Sequence, residues 1–173
     1  MSIHPAFPFT GTSLDLQRLA GAAFGVTAPE GFRTVAEALV VELGGEPVWI
    51  PEEARVGYHA ALALAANYSM TLLNESIELL SAGGAEHPER ILGPLVRASV
   101  ETALERGDRG QTGPIVRGDA STVARHLEFL AEVPLAAQAY RALGVLTVDR
   151  LLAAGMLTGR QASPVLDSLE SGK

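Results

Sequence analysis

The 173-residue sequence contains no cysteine. Disulfide bonds and thiolate chemistry are therefore excluded, and the absence of cysteine fits the reducing cytoplasm, which we expect to be the compartment of this protein. Aromatic residues make up only 5% of the chain, although hydrophobic residues make up 47%. The core must therefore be built mostly from Ala, Leu and Val, a composition that suits closely packed helices.

Positive charge is also scarce, since 13 Lys and Arg residues face 20 Asp and Glu residues and the net charge is −7. A nucleic-acid surface needs a basic patch, so we expect no nucleic-acid partner. The first residues, MSIHPAFPFTG, lack the basic start and apolar centre of a signal peptide. The longest apolar stretch is interrupted by polar side chains, so we expect no membrane span. The four histidines lack a ligand spacing such as H-E-x-x-H, so we expect no metal site.

The sequence has no G-x-G-x-x-G turn after any strand-like run, and it therefore lacks the usual dinucleotide fingerprint. It does contain two short apolar runs, Ala22–Val26 and Pro47–Ile50, with helical spacing over Phe32–Leu43 between them. A strand, helix and strand of this length predict a crossover unit with parallel strands. Residues 1–50 are therefore expected to form a partial α/β segment, because two strands cannot complete a doubly wound sheet.

A long helical stretch follows, from Pro51 to Gly83. Pro51 is suited to a helix start, and no proline or glycine interrupts the stretch between Gly57 and Gly83. Apolar residues cover nearly every face, which predicts a helix buried all round. Its length of about 45 Å exceeds the diameter of about 40 Å of a compact domain of this size. We therefore predict a homodimer through this helix, and the alternative is a monomeric bundle with a central helix.

Residues 51–173 are expected to form one all-helical domain. Asp119 is a suitable N-cap for one of its helices, and Thr158 with Gln161 fits a capping box for the last one. The predicted helices after the long one are Pro88–Arg106, with a kink or split at Pro94, Ala120–Glu132, Pro134–Ala154 and a last helix that ends near Leu169.

Two polar residues on the long helix, His59 and Asn67, are the main catalytic candidates. They lie two helical turns apart on one slowly drifting stripe and could line one cleft around a small substrate. Histidine is the usual acid or base near neutral pH, and asparagine can hold a carbonyl or carboxylate group. The alternative is that both side chains are satisfied by hydrogen bonds across a helix–helix interface.

The stretch from Gln111 to Asp119 is a candidate binding loop. Its glycines permit close approach of a ligand, and Arg117 could pair with a carboxylate or a phosphate. The alternative is an ordinary connecting loop that ends in the Asp119 cap.

Four stretches together resemble one family. They are HPAFPFTG at residues 4–11, GYHAALALAANY at 57–68, LGPLVRASVE at 92–101 and TGPIVRGDASTVARHL at 112–127. The sequence resembles the C-terminal portion of Rossmann-like NADP-dependent oxidoreductases that end in a helical domain of unknown function. These are relatives of pyrroline-carboxylate reductase and of the deazaflavin-dependent NADP oxidoreductases.

The resemblance implies a mainly α fold. A short remnant of a Rossmann-like sheet would precede a helical dimerisation domain of the phosphogluconate-dehydrogenase C-terminal type. It implies catalytic roles for His59 and Asn67. It also places His4 near the nicotinamide and gives substrate-binding roles to His4, Thr112 and Arg117.

The family binds NADP through a glycine-rich N-terminal half, and this sequence departs from the pattern because that half is absent from it. We therefore expect no tight NADP binding and no activity from this chain alone. The sequence analysis thus favours the dimerisation and substrate-side domain of an oxidoreductase with a small-molecule substrate. The alternative is a non-catalytic helical dimer that binds a partner or ligand and depends on apolar positions such as Leu72 and Leu73.

Overall fold

A computed structural model describes residues 1–171 of the chain. The fold is mainly helical with one small sheet near the N-terminus, and it divides into two compact units, Met1–Ser76 and a second that begins at Ile77. The strands are β1 (Ser2–Pro5), β2 (Ala23–Thr27) and β3 (Glu46–Trp49). The α-helices are α1 (Leu14–Leu19), α2 (Arg33–Glu42), α3 (Arg55–Leu62), α4 (Ser69–Ala82), α5 (Pro88–Arg106), α6 (Ala120–Leu130), α7 (Pro134–Ala153) and α8 (Gly159–Glu170).

The sheet has the order β1-β2-β3, with β2 in the centre. β2 and β3 are parallel, as the strand–helix–strand pattern predicts. β1 runs antiparallel to β2 and places His4 opposite Gly25. The sequence gives no clear signal for β1, because a four-residue strand has too short an alternation to recognise.

The core of the first unit lies between β2 and α2. Phe24 and Val26 alternate along β2 and point to one face of the sheet, where they meet Ala36 and Val40 of α2. All four side chains are buried. Gly25 lies between Phe24 and Val26 on β2 and faces the other side of the sheet. Because Gly25 has no side chain, another group can approach the strand closely at this point.

The long helical stretch after β3 is continuous but not uniform. A 3₁₀-helix at Glu52–Ala54 leads into α3, a π-helix at Ala63–Tyr68 follows, and α4 continues to Ala82. Gly84 then adopts a φ of 92° beyond the helix end, as predicted for a glycine that ends a helix.

The long helical stretch is not buried in the single chain, and its predicted burial in a dimer stays a prediction. None of the residues of α3, the π-helix and α4 is buried. Val56 is 83% exposed, Leu64 64% and Met70 62%. Apolar composition indicates which side chains favour burial, but it does not specify what covers them.

The second unit is built around α6, α7 and α8. Its core contains side chains that are fully or almost fully buried, namely Val123, Leu127, Val148, Leu151, Leu157, Ala162, Val165 and Leu169. α5 passes through Pro94 as a single helix, so the predicted split there does not occur.

Both predicted helix caps are present. The Asp119 carboxylate accepts a hydrogen bond from the backbone N–H of Thr122 at 3.0 Å, which begins α6. Thr158 and Gln161 form the reciprocal capping box at the start of α8. Each cap satisfies backbone donors that have no partner within the helix.

The Asp119 cap makes the stability of α6 dependent on pH. The Thr122 hydroxyl, the Thr122 backbone N–H and the Ser121 hydroxyl donate to the carboxylate and lower the pKa of Asp119 from 3.8 to about 2. Because the folded-state pKa is the lower one, the stabilisation is complete above the unfolded value and is lost as the pH falls toward 2. We expect the difference in melting temperature between wild type and Asp119→Ala to be largest above pH 4 and to shrink toward pH 2. A difference that stays constant over this range would contradict this role.

No helix among residues 1–171 has the length and hydrophobicity needed to span a membrane. The division of the chain into two compact units falls within α4, between Ser76 and Ile77. The boundary predicted at Pro51 rests instead on the change from α/β to helical character, and it stays a prediction.

Candidate functional site

The strand register places His4 at the centre of a side-chain cluster. His4 on β1 pairs with Gly25 on β2, and Tyr58 from α3 lies against Gly25. The Tyr58 hydroxyl is 3.1 Å from His4 Nδ1, within hydrogen-bonding distance, and the two rings meet edge to face with their centroids 5.7 Å apart. A tyrosine ring can occupy this place only because residue 25 has no Cβ.

His59 follows Tyr58 on α3 and completes the cluster. Its ring centroid lies 6.1 Å from that of His4, again with an edge-to-face orientation. His4 and His59 are both exposed, whereas Tyr58 is partly buried. We call these three residues the His4–Tyr58–His59 cluster. It brings two imidazoles and a phenol together on an accessible surface, and these are groups able to donate or accept a proton.

Two cavities meet at this cluster. One has a volume of about 520 Å³ and is lined by all three residues of the cluster together with Arg55. The other has a volume of about 200 Å³ and is lined by His4, His59 and Asn67. Since His4 and His59 line both, the two cavities are neighbours beside α3, and we call the pair the histidine groove.

Asn67 reaches the histidine groove from the π-helix. The predicted pairing of His59 and Asn67 along one cleft therefore matches their placement, although the stripe was predicted for a regular α-helix. A π-helix contains wider turns and shifts every later residue around the axis, and such segments are frequent at functional sites. The catalytic roles of His59 and Asn67 stay predictions.

The remaining predicted site residues, Thr112 and Arg117, lie in the second unit. Both are exposed in the loop before α6. Ile115 and Val116 pack this loop against the core of the second unit, and Asp119 ends it as a helix cap. The contacts account for the loop as a structural connection, and the substrate-binding roles of Thr112 and Arg117 stay predictions.

Sequence analysis did not single out Tyr58 or Arg55. One usable signal was Gly25, because a glycine inside a strand often marks close approach of another group. The partner could not be read from the sequence, since Tyr58 follows Gly25 by a whole crossover unit and a turn. Arg55 carried no signal beyond its charge. Its guanidinium donates to Glu52 at 3.0 Å and to the Ser2 hydroxyl at 3.2 Å.

A buried carboxylate anchors the loop that follows β1, and it was also missed. Asp15 is 4% exposed and accepts hydrogen bonds from Thr10, Gly11 and Thr12. Burial raises the pKa of this carboxyl, but the hydrogen bonds outweigh burial and the pKa is lowered. This loop carries Phe7, which lines the smaller cavity of the histidine groove.

Within residues 1–171, no three His, Asp or Glu side chains come together as ligands for a metal ion. The sequence also provides no glycine-rich turn for the pyrophosphate of a dinucleotide.

The contact between Gly25 and Tyr58 gives a direct test of the cluster. A Cβ at position 25 would lie 2.5 Å from the Tyr58 hydroxyl oxygen, so Gly25→Ala must displace the ring. We expect it to destabilise the first unit by about 1–3 kcal/mol, the usual cost of overpacking. In a Tyr58→Ala background the same change should cost far less, as measured by chemical unfolding of the four proteins in this cycle. An equal cost in both backgrounds would contradict the described contact.

The fold and the groove together define a mainly helical protein with a small mixed sheet and a histidine-containing cleft. The model of the domain of unknown function DUF2520 matches residues 22–147, and the chain belongs to this family. Comparison of the sequence with curated proteins gives no match.

Two solved structures are similar in fold. Protein TM1727 from Thermotoga maritima is 23% identical, with a TM-score of 0.72 over 90% of this chain and 62% of that protein. BF3122 from Bacteroides fragilis, described as a candidate NADP oxidoreductase, is 21% identical, with a TM-score of 0.64 over 74% of this chain and 49% of that protein. The chain thus spans less than two thirds of the length of either. The likeness shows a common fold of the kind found in a candidate NADP oxidoreductase.

Proposed function

We propose that this chain is the substrate-side and dimerisation part of an NADP-dependent oxidoreductase. The observation that carries the proposal is the meeting of His4, Tyr58 and His59 at one accessible groove in a fold shared with a candidate NADP oxidoreductase. In this proposal the cofactor is held by a separate nucleotide-binding half. The two similar structures are long enough to contain such a half in addition to the part that matches this chain. The helical part is then of the phosphogluconate-dehydrogenase C-terminal type, and the wider kinship extends to pyrroline-carboxylate reductase.

We propose a separate role in the reduction for each residue of the histidine groove. NADPH supplies a hydride when it is bound, and the product then needs a proton. His59 is the proposed proton donor because it is exposed, next to His4 and accessible from both cavities. His4 and Tyr58 hold each other by their hydrogen bond and so fix the position of the His4 ring beside His59. Asn67 is placed to hold a carbonyl or carboxylate group of the substrate.

The reaction class follows from these groups. Reduction of a carbonyl or imine needs a hydride on carbon and a proton on oxygen or nitrogen, and the groove offers the side chains of His4, Tyr58 and His59 as proton donors. The test is oxidation of NADPH by a longer member of the family with a panel of small ketones and imines. Turnover of at least one class supports the proposal. Binding of such compounds without any NADPH oxidation would favour the alternative, a ligand-binding helical module.

We further propose that two copies of the chain dimerise through the stretch from Pro51 to Gly83. The support is the exposure of large apolar side chains between Val56 and Leu72, among them Leu64 and Met70. Large contiguous apolar patches are rare on monomeric proteins, and a second copy of the chain is one way to cover such side chains. A cytoplasmic location is part of the same proposal and rests on the absence of cysteine.

A charge on this surface should break the dimer. Burying an unpaired carboxylate in an apolar interface costs several kcal/mol, so Met70→Glu should raise the dissociation constant of the dimer at least about 100-fold. Sedimentation equilibrium measures the change. Gln17→Glu adds the same charge to the exposed face of α1 and is the control, expected to leave the dimer intact. A wild-type chain that is monomeric at tens of micromolar would contradict the proposal, as would an unaffected dimer in Met70→Glu.

A further inference from the structure

A third cavity adjoins the histidine groove at Arg55. This cavity has a volume of about 650 Å³ and shares five lining residues with the larger cavity of the groove, among them Arg55 and Glu52. It lies where the two parallel strands end, since Thr27 ends β2 and Trp49 ends β3, and both line it. Crevices beyond the carboxyl ends of parallel strands are the usual ligand sites of open α/β sheets.

Two guanidinium groups face this third cavity. Arg33 lies over the Trp49 ring, with its Cζ 4.1 Å from the ring centroid. The indole N–H donates to Glu37 at 3.1 Å, which fixes the plane of the ring. Arg55 stands on the wall common to the two cavities and donates to Glu52 and Ser2. A guanidinium has five N–H donors, so both arginines keep donors for a ligand.

The carboxylates near these arginines are held weakly. Glu30 is 3.7 Å from Arg33 and its side chain is 91% exposed, whereas Glu52 is 3.0 Å from Arg55 and 73% exposed. Ion pairs that are open to water contribute little to stability, so an anion from solution can compete with either carboxylate. A carboxylate or phosphate that accepts two N–H groups of one guanidinium makes a stronger and more directed contact.

We propose that Arg55 and the Arg33–Trp49 stack form an oxyanion subsite that holds a carboxylate or phosphate group of the ligand in the histidine groove. The existence of the subsite is inferred from the positions of Arg33, Trp49 and Arg55 alone. That its ligand is a reacting substrate rests on the proposed function. The ligand is then an organic anion long enough to reach from Arg55 to the His4–Tyr58–His59 cluster. The anionic group that these arginines bind could be a carboxylate or a phosphate, and the experiment below distinguishes the two.

Trp49 is the only tryptophan of the chain and reports on the subsite directly. The fluorescence of the full chain is titrated with inorganic phosphate and, separately, with succinate at constant ionic strength. We expect a saturable change with at least one of them. The anion that binds more tightly identifies the source, and comparable affinities identify a general oxyanion site.

Variants then assign the response to residues. Arg55→Gln should raise the dissociation constant at least about tenfold, because it removes a charge-assisted hydrogen-bond donor. Glu52→Gln should lower it, because the competing carboxylate is gone. Arg18→Gln removes an exposed positive charge from α1 of the same unit and should change nothing. Circular dichroism and melting temperature establish that each variant is folded.

Two results would overturn the proposal. One is no saturable response to either anion in the wild-type chain. The other is a response that Arg55→Gln leaves unchanged, which would mean an adventitious ion only. Both results come from fluorescence titrations and do not depend on catalytic activity. Failure of the subsite is therefore distinguishable from failure of the oxidoreductase assignment, which depends on NADPH oxidation and on His59.

Discussion

Replacement of His59 by Gln is expected to lower kcat/KM for NADPH-dependent reduction by about 10²- to 10⁴-fold, the usual contribution of a positioned general acid. The assay uses a longer member of the family, with the change at the position equivalent to His59. Because the side chain is exposed, its loss should leave the fold and melting temperature unchanged. A fall in kcat rather than a rise in KM would assign the residue to the chemical step.

The matched control is the same substitution at the position equivalent to His87, which lies in the second unit at the start of α5. It should leave turnover unchanged. If the variant at the position of His59 keeps more than about a third of the wild-type activity, a change below 1 kcal/mol in the activation barrier, His59 is not the proton donor. Dimerisation should be equal in all three proteins, so that a loss of activity cannot be ascribed to a loss of assembly.

Leu151→Ala is expected to destabilise the second unit by about 2–5 kcal/mol. Leu151 is completely buried among side chains from α6, α7 and α8, and truncation removes apolar contacts and leaves a cavity. Chemical denaturation measures the loss of stability, and a separate hydrogen-exchange experiment measures the protection of the amides in α6, α7 and α8. In a marginally stable domain, this loss should expose those amides to rapid exchange.

Leu135→Ala is the control for this prediction. Leu135 lies on the same helix but is 78% exposed, so its truncation should change stability by no more than about 0.5 kcal/mol. A loss at position 151 no greater than at position 135 would contradict the described core of the second unit.

Local sequence rules account for much of the fold. Strand, helix and strand follow from the apolar runs before Pro51, and the parallel pairing of β2 and β3 follows from the length of the connection between them. The Asp119 cap and the Thr158–Gln161 capping box follow from side-chain chemistry alone. These features depend on residues close together in the chain, where steric and hydrogen-bonding preferences are strong.

The parts that could not be predicted depend on distant residues. The antiparallel pairing of β1 brings His4 to Gly25, and neither residue carries a signal for the other. The π-helix before α4 carried no recognised signal in the sequence. The exposure of the long helix in the single chain also could not be predicted, because the burial of a surface depends on what packs against it and not on its composition alone.

The candidate site was therefore predicted in part. His59 and Asn67 were identified from residue type and helical spacing, and His4 from the resemblance to the family, and all three meet at the histidine groove. Tyr58 and Arg55 emerged only once the sheet register and the path of α3 were known. Thr112 and Arg117 lie in the other unit, and their roles stay predictions.

The proposed function requires that the His4–Tyr58–His59 cluster lies beside the reacting end of a nicotinamide cofactor bound by the longer protein. The most direct test is the structure of a longer member of the family with NADP⁺ bound. We predict that the nicotinamide ring lies beside the positions equivalent to His4 and His59, with room for a small substrate between the ring and the histidine side chains. A nicotinamide bound away from the histidine groove, or no binding of NADP⁺ by the longer protein, would contradict it.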